Sequence, residues 1–200
     1  MRRVVIGIGA IVAVGLVGYG FIGGYRSKGS GASQEVVRVQ MDVAKVFSSW
    51  GALKGASTRI VVGTAGTQRY SLVHIGSGPG SDPWTSTEVH VEMTLQGSAQ
   101  ETVLVRQLGG PTSDGAVETV DQFPVLQPGQ RYLLFLTPSE PFPGEFYPVG
   151  AFQGVFPISQ NGRVNPFSPA ATSIGVPVRD MPLTDVVNAI HGARALNVTP

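Results

Sequence analysis

Apolar and polar residues alternate through most of this chain, in short stretches that glycine and proline separate. The clearest alternation covers residues 87–95, where Val89, Val91, Met93 and Leu95 occupy one face and polar side chains the other. A period of two residues is that of a β-strand with one buried face. Because such stretches recur along the chain, the pattern predicts a mainly β fold.

Most of the other stretches are also expected to form antiparallel strands. The run at residues 131–137 is almost entirely apolar and predicts a central strand buried on both faces. Pro128-Gly129 and Asn161-Gly162 predict two of the turns. The other predicted strands cover residues 37–43, 59–67 with a continuation at 70–75 after a bulge at Gly66, 102–108, 117–123 and 146–159.

Helical spacing is found on both sides of these strands. Residues 43–50 carry apolar side chains at that spacing behind Asp42, and we expect a strand start that passes into a short helix ending at Gly51 and Gly55. Residues 184–192 predict a second helix, which Thr184 would cap. Together the elements predict a small antiparallel barrel or sandwich with flanking short helices.

An uncharged run of 22 residues, from 4 to 25, precedes the β-rich part of the chain. As a helix it would be about 33 Å long, which matches the hydrocarbon thickness of a bilayer. We therefore predict one N-terminal transmembrane helix that anchors the protein in the membrane. Arg2 and Arg3 place its start in the cytoplasm by the positive-inside tendency, and residues 26–33 would form a flexible tether.

Two other interpretations of this segment stay open. A signal peptide would be cleaved near Ser30-Gly31-Ala32 and leave a secreted protein, although its apolar region is normally shorter. A buried core helix is disfavoured by the seven glycines of the run. The predicted division is a signal-anchor and tether at 1–33 and an extracytoplasmic domain at 34–200.

The charges of the chain are divided unevenly at the same boundary. Four of the 14 basic residues precede Gln34, whereas all 13 acidic residues follow it, so the predicted domain is slightly acidic. Nucleic-acid binding needs a concentrated basic surface, and we expect no nucleic-acid partner. The chain has no cysteine, which excludes disulfides, a thiolate nucleophile and a cysteine zinc site.

Glu88, His90 and Glu92 are the residues with the best potential for chemistry. They alternate along the polar face of residues 87–95, with successive members about 6.6 Å apart. Two carboxylates and an imidazole could hold a divalent metal or act as acid and base. A solvent-exposed strand face needs the same residue types, and we favour that interpretation, with no metal and no cofactor. His74 and His191 are isolated in the sequence.

Two further segments have a binding and a purely structural interpretation. The glycine-rich residues 76–81 lack the G-x-G-x-x-G order and the Walker lysine, so we interpret them as a loop tip. Six aromatic residues near loops and glycines would form a binding surface if they were exposed, or core if they were not. They are Trp84, Phe142, Phe146, Tyr147, Phe152 and Phe156.

Five short segments between residues 58 and 158 combine turn glycines with apolar runs: IVVGT (60–64), LQG (95–97), VRQLGG (105–110), PGQRYLLFL (128–136) and GAFQG (150–154). In this order they resemble a class of bacterial extracytoplasmic domains that are distantly similar to netrin and TIMP-like modules. The resemblance implies an OB-like barrel. The inhibitors among those modules act through an N-terminal cysteine, which this chain lacks, so inhibition of metalloproteases is not implied for any residue here.

These features together predict a single-pass protein of the cell membrane with an OB-like domain outside the cytoplasm. We expect it to bind a protein, peptide or envelope component without catalysis, because no catalytic set of residues is present. One alternative is a metal-binding protein or metal-dependent hydrolase that uses Glu88, His90 and Glu92. The other is a structural subunit of a membrane complex, with the anchor as its main contact.

Overall fold

The computed structural model describes residues 26–29, 36–39, 47–74, 81–120, 123, 125–167 and 178–193. In these parts the chain is mainly β, with a large mixed sheet, a smaller sheet and short helices. The helices are α1 (Trp50–Ala56), a 3-10 helix (Ala151–Gly154) and α2 (Leu183–Gly192). The strands are β1 (Arg26–Gly29), β2 (Val36–Val39), β3 (Arg59–Val73), β4 (Asp82–Gln96), β5 (Thr102–Leu108), β6 (Gly110–Pro111), β7 (Val117–Val120), β8 (Arg131–Pro138), β9 (Glu145–Pro148), β10 (Val155–Ile158), β11 (Arg163–Val164) and β12 (Met181–Pro182).

Five strands of the large sheet pair in a closed circuit, which we call the five-strand ring. β3 pairs with β4 and with β8, and β4 pairs with β5, always antiparallel. β9 completes the circuit because it runs antiparallel to β8 and parallel to β5. The expectation of an antiparallel sheet is therefore wrong at the β5–β9 pairing, and again in the smaller sheet, where β2 runs parallel to β7.

β8 has the central position that its apolar run predicts. Its alternating side chains enter two separate cores, both closed to solvent. Leu133 and Phe135 pack with α1 and α2 in the helix-side core, whose other members include Trp50, Phe156 and Ile190. Tyr132, Leu134 and Leu136 pack in the ring core, with Val61, Val89 and Val105 from β3, β4 and β5.

β3 and β4 are each 15 residues long, and their pairing register shifts at three places. One shift lies between Ala65 and Gln68, so the predicted bulge at Gly66 is confirmed. A second shift leaves Glu92 as an extra residue opposite Val62 and Gly63. An extra residue reverses the face to which the following side chains point.

Met93 shows the consequence of the bulge at Glu92. The alternation of residues 87–95 predicts that Met93 faces the core with Val89, but its side chain is 45% exposed. Val91 still packs against the ring core, whereas Leu95 packs against the helix-side core. The single amphipathic strand of the prediction is therefore wrong in its second half.

The stretch at residues 146–159, predicted as one strand, is three elements. β9 ends at Pro148, the 3-10 helix follows, and β10 begins at Val155. Gly150 and Ala151 both have left-handed backbone conformations, with φ of 60° and 55°, which turn the chain out of the strand. A Cβ atom at Gly150 would lie 2.8 Å from the ring of Phe47, so this turn also fits closely against the chain before α1.

The helices and the N-terminal segments differ from the prediction in detail. α1 begins after Ser49, whose hydroxyl accepts a hydrogen bond from the Ala52 N–H at 3.1 Å, and it contains Gly51 and Gly55 rather than ending there. α2 is confirmed, although it begins after Pro182 and not at Thr184. Arg26–Gly29, predicted as part of the tether, forms a strand that pairs with Val36–Val39.

The two helices are joined by one lysine. Lys54 donates hydrogen bonds to the carbonyl oxygens of Ile190 at 2.9 Å and Ala193 at 3.0 Å, at the C-terminal end of α2. A cation at this end of a helix satisfies carbonyl groups that have no partner within the helix.

No helix in the part of the chain that the structure describes is long and apolar enough to span a bilayer. The predicted anchor at residues 4–25 and the cleavage site of the alternative interpretation, Ser30-Gly31-Ala32, both lie outside the described residues.

Candidate functional site

Glu88, His90 and Glu92 stay on one strand, but they do not form a three-ligand group. His90 is exposed and pairs with Thr64 across the strands, Glu88 is half-buried, and Glu92 sits in the bulge. Over the residues that the structure describes, no group of three or more histidine or carboxylate side chains is placed to hold a metal ion.

The carboxylate of Glu92 already has two partners. Arg131 forms an ion pair with it, with Nη2 to Oε2 at 2.6 Å, and the Thr64 hydroxyl donates a hydrogen bond at 2.8 Å. Burial raises the pKa of Glu92, but the hydrogen bonds from Arg131 and Thr64 and the charge of Arg131 outweigh it and leave the pKa lowered. The group therefore acts as a cross-strand ion pair between β4 and β8.

Of the six aromatic residues that were candidates for a binding surface, three are buried and three are half-buried. Trp84 and Tyr147 are buried in a third cluster, the end cluster, with Leu108, Val120, Phe123 and Ala151. Phe142 and Phe152 pack against the end cluster, Phe146 packs against the ring core, and Phe156 lies in the helix-side core. The core interpretation is confirmed for Trp84, Tyr147 and Phe156, whereas Phe142, Phe146 and Phe152 are half-buried at the margins of the clusters.

Exposed large apolar side chains occur elsewhere in the described residues, on the second half of β3. Tyr70 is 54% exposed and Leu72 is 46% exposed, and they are two positions apart on one face of the strand. The Tyr70 hydroxyl donates to the side-chain oxygen of Gln68 at 2.9 Å. Its ring also lies close to the backbone of β6, because a Cβ atom at Gly110 would be 3.2 Å from Tyr70 Cδ1.

A buried arginine holds this part of β3 in place. Arg106 of β5 is only 5% exposed and donates to the carboxylate of Glu145 at 2.8 Å, and to the hydroxyl of Ser71, between Tyr70 and Leu72, at 2.9 Å. Its guanidinium lies 3.6 Å from the centroid of the Phe142 ring. One side chain thereby joins β3, β5, β9 and the loop after β8.

Sequence reasoning missed this arrangement. Arg106 and Glu145 are 39 residues apart, and the VRQLGG segment that contains Arg106 gives no sign of its partner. Tyr70 and Leu72 were included in a strand, but the alternation of that strand does not distinguish a buried face from an exposed one. Only the pairing of the strands brings these residues together.

Among the described residues, β3 also has an edge without a strand partner beside the exposed pair. It pairs with β8 through Arg59–Thr64 only. Ala65 then exchanges hydrogen bonds with the backbone of Gln130 and Gly129, and the side chain of Gln68 donates to the Leu126 carbonyl at 2.7 Å. Beyond that point, no described strand pairs with residues 69–73 on the side away from β4, and we call these residues the open edge.

Comparison with protein families and with curated proteins gives no relative for this chain. No protein-family model matches it, and no curated protein is significantly similar to it. The interpretation of the exposed pair and the open edge therefore depends on their geometry.

Proposed function

We propose that this protein is a membrane-anchored, extracytoplasmic binding module that holds a protein, peptide or envelope component at Tyr70 and Leu72, without catalysis. The observation that carries the proposal is this exposed pair on a strand that Arg106 holds in place. Single exposed apolar residues are common, but two on one strand face beside an unpaired strand edge are a feature of interaction surfaces.

An OB-like barrel is the fold that we propose for the five-strand ring. An OB fold is a five-stranded Greek-key barrel, and the ring has five strands with two neighbours, β5–β9 and β8–β3, that are not consecutive in the chain. In that fold the loops after the first and fourth strands flank the ligand surface. The exposed pair lies just before the loop between β3 and β4, and Phe142 lies in the loop between β8 and β9.

The membrane location is supported by the uncharged run at residues 4–25 and is tested by labelling. Because the chain has no cysteine, a single Ala99→Cys substitution at an exposed position between β4 and β5 reports on which side the domain lies. In intact cells that express the full chain, a membrane-impermeant maleimide should label Ala99→Cys and should leave unlabelled a cysteine inserted after Met1, a control that keeps both Arg2 and Arg3. Labelling of Ala99→Cys only after lysis would contradict the proposed location.

The binding surface is tested by photo-cross-linking in the membrane that contains the full chain. A benzophenone amino acid in place of Tyr70 should give a discrete adduct, and the same group in place of Met93 should not. Met93 is a matched control, since it is 45% exposed and lies eight positions along β4 from Thr85, the partner of Tyr70. Equal adducts at both positions, or none at Tyr70, would contradict the proposed function.

A further inference from the structure

We propose that the open edge binds an extended peptide segment as an additional β-strand, and that this segment has apolar side chains on one face and an acidic side chain on the other, beside Arg69. The inference rests on the proposed function and specifies its ligand. It is carried by the backbone of residues 69–73 and by the side chains on the two faces of that strand.

The backbone of the open edge is ready for pairing. From Gln68 to Val73 the register with β4 is regular, so alternate N–H and C=O groups point away from β4 along about 17 Å of strand. A strand edge of this kind is a template for another strand unless lysine, proline or a bulge protects it. The edge, RYSLV, contains neither lysine nor proline, the bulge at Gly66 ends before it, and Arg69 is its one charged side chain.

One face of the open edge selects apolar side chains. Tyr70 and Leu72 lie on it, both about half exposed. Side chains of an added strand would lie directly beside them, where aromatic and aliphatic cross-strand pairs stabilise a sheet. Alternate residues of the bound segment, two positions apart, should therefore be apolar.

The other face selects a negative charge. Ser71 and Val73 on that face are already engaged, by Arg106 and by the end cluster. Arg69 is exposed and contacts no carboxylate among the residues that the structure describes. The charge of Arg106 is paired with Glu145, so Arg69 supplies the unpaired positive charge at the open edge. An acidic side chain of the added strand would form an ion pair with Arg69.

A second copy of this chain fits the open edge less well than a peptide. Two open edges paired symmetrically about Ser71 would place Tyr70 beside Leu72 of the other copy and Arg69 beside Val73, so the nearest carboxylate in that row, Asp82, would be one strand further away. Five residues a side are also far fewer than the about 20 to 30 of a stable interface. A short strand with complementary charge is the better match.

The test measures fluorescence anisotropy with the full chain in lipid nanodiscs. The probe is a fluorescein-labelled peptide of nine residues that alternates valine and glutamate, compared with one that alternates valine and lysine. We expect the glutamate peptide to bind about threefold or more tightly than the lysine peptide, and Arg69→Glu to reverse that preference. In an extended peptide, alternate amide N–H groups point to opposite sides, and only one set can bond to the open edge. N-methylation of that set in the glutamate peptide should weaken binding about tenfold or more, whereas N-methylation of the other set should not.

The outcomes separate this inference from the proposed function. Equal binding of the two N-methylated peptides would overturn strand addition, and an unchanged preference in Arg69→Glu would overturn the charge selection. If neither peptide binds, this inference is overturned. The proposed function is then still decided by the cross-link at Tyr70. A dimer in sedimentation that excludes the peptide and is lost in the double variant Tyr70→Ser/Leu72→Ser would identify a second copy as the occupant instead.

Discussion

Arg106 is the residue on which the candidate site depends most directly. Its guanidinium is removed from water, and its charge is balanced by Glu145, which is 18% exposed. Burial of an ion pair removes both charges from water, and this desolvation offsets much of the attraction between them. Removal of only one partner destabilises the protein more, because the other charge stays buried without a counter-charge. The two residues should therefore behave as a unit when they are substituted.

Arg106→Met should lower the free energy of unfolding by about 3 to 5 kcal/mol, because it leaves the Glu145 carboxylate without its cation. The double variant Arg106→Met/Glu145→Leu should recover much of that loss. Denaturant unfolding of the wild type, both single variants and the double variant measures the coupling. Single-variant losses that simply add would show that the pair does not act as a unit.

Glu92 should contribute a pH-dependent stability of modest size. Its folded-state pKa is lowered by Arg131 and Thr64, so its contribution is present above the ordinary glutamate pKa of about 4.3 and is lost as the pH falls through the lowered value. Because both side chains of the ion pair are 38% exposed, solvent screening limits it to about 0.5 to 1 kcal/mol.

Glu92→Gln isolates this contribution. The difference in unfolding free energy between the wild type and Glu92→Gln should be largest near pH 7 and should vanish at a pH below the lowered pKa. A series of denaturant titrations between pH 3 and pH 7 measures it, with Glu88→Gln as the half-buried control on the same strand. A difference that stays constant across that range would contradict the assignment.

Among the elements, β3 and β4 approach each other closely at Gly63, next to the bulge at Glu92. A Cβ atom at Gly63 would lie 2.4 Å from the carbonyl oxygen of His90 and 2.8 Å from a methyl carbon of Val89. Gly63→Ala should therefore destabilise the protein by about 1 to 3 kcal/mol, since the strand backbone must shift. Gly192→Ala in α2 meets nothing within 4 Å and should be neutral or slightly stabilising.

Thermal unfolding of the two glycine variants gives a direct comparison. A midpoint that falls in Gly63→Ala but not in Gly192→Ala would support the close strand approach. Equal midpoints in both variants would show that β3 and β4 leave room for a methyl group at residue 63.

The existence of the strands could be read from the sequence, but several of their faces could not. β5, β8 and α2 match their predicted positions closely, because alternation and apolar runs are local signals. Met93 and the stretch at 146–159 were mispredicted because a bulge and two left-handed residues interrupt the pattern without changing its composition. Arg106, Glu145 and Ser71 could not be predicted as a group, since long-range pairing alone unites them.

For the whole molecule, β9 is the element that decides whether the circuit of strands is closed. It has only four residues, yet it contributes Phe146, which lies opposite Val105 of β5 and opposite Pro138 of β8. It also contributes Glu145, the partner of Arg106. Closure of the ring and the support of the open edge therefore depend on the same short strand.

Nuclear Overhauser effects from Phe146 test that closure. Neighbouring strands lie about 4.8 Å apart, so backbone protons of Phe146 should show effects to both Val105 and Pro138 in the folded full chain. Nuclear Overhauser effects to Pro138 alone would show that β5 and β9 are not paired. The ring would then be open, and β5 would be a second free edge. In that case an added strand could pair with β5 as well, and the peptide probes would bind even when residues 69–73 are altered.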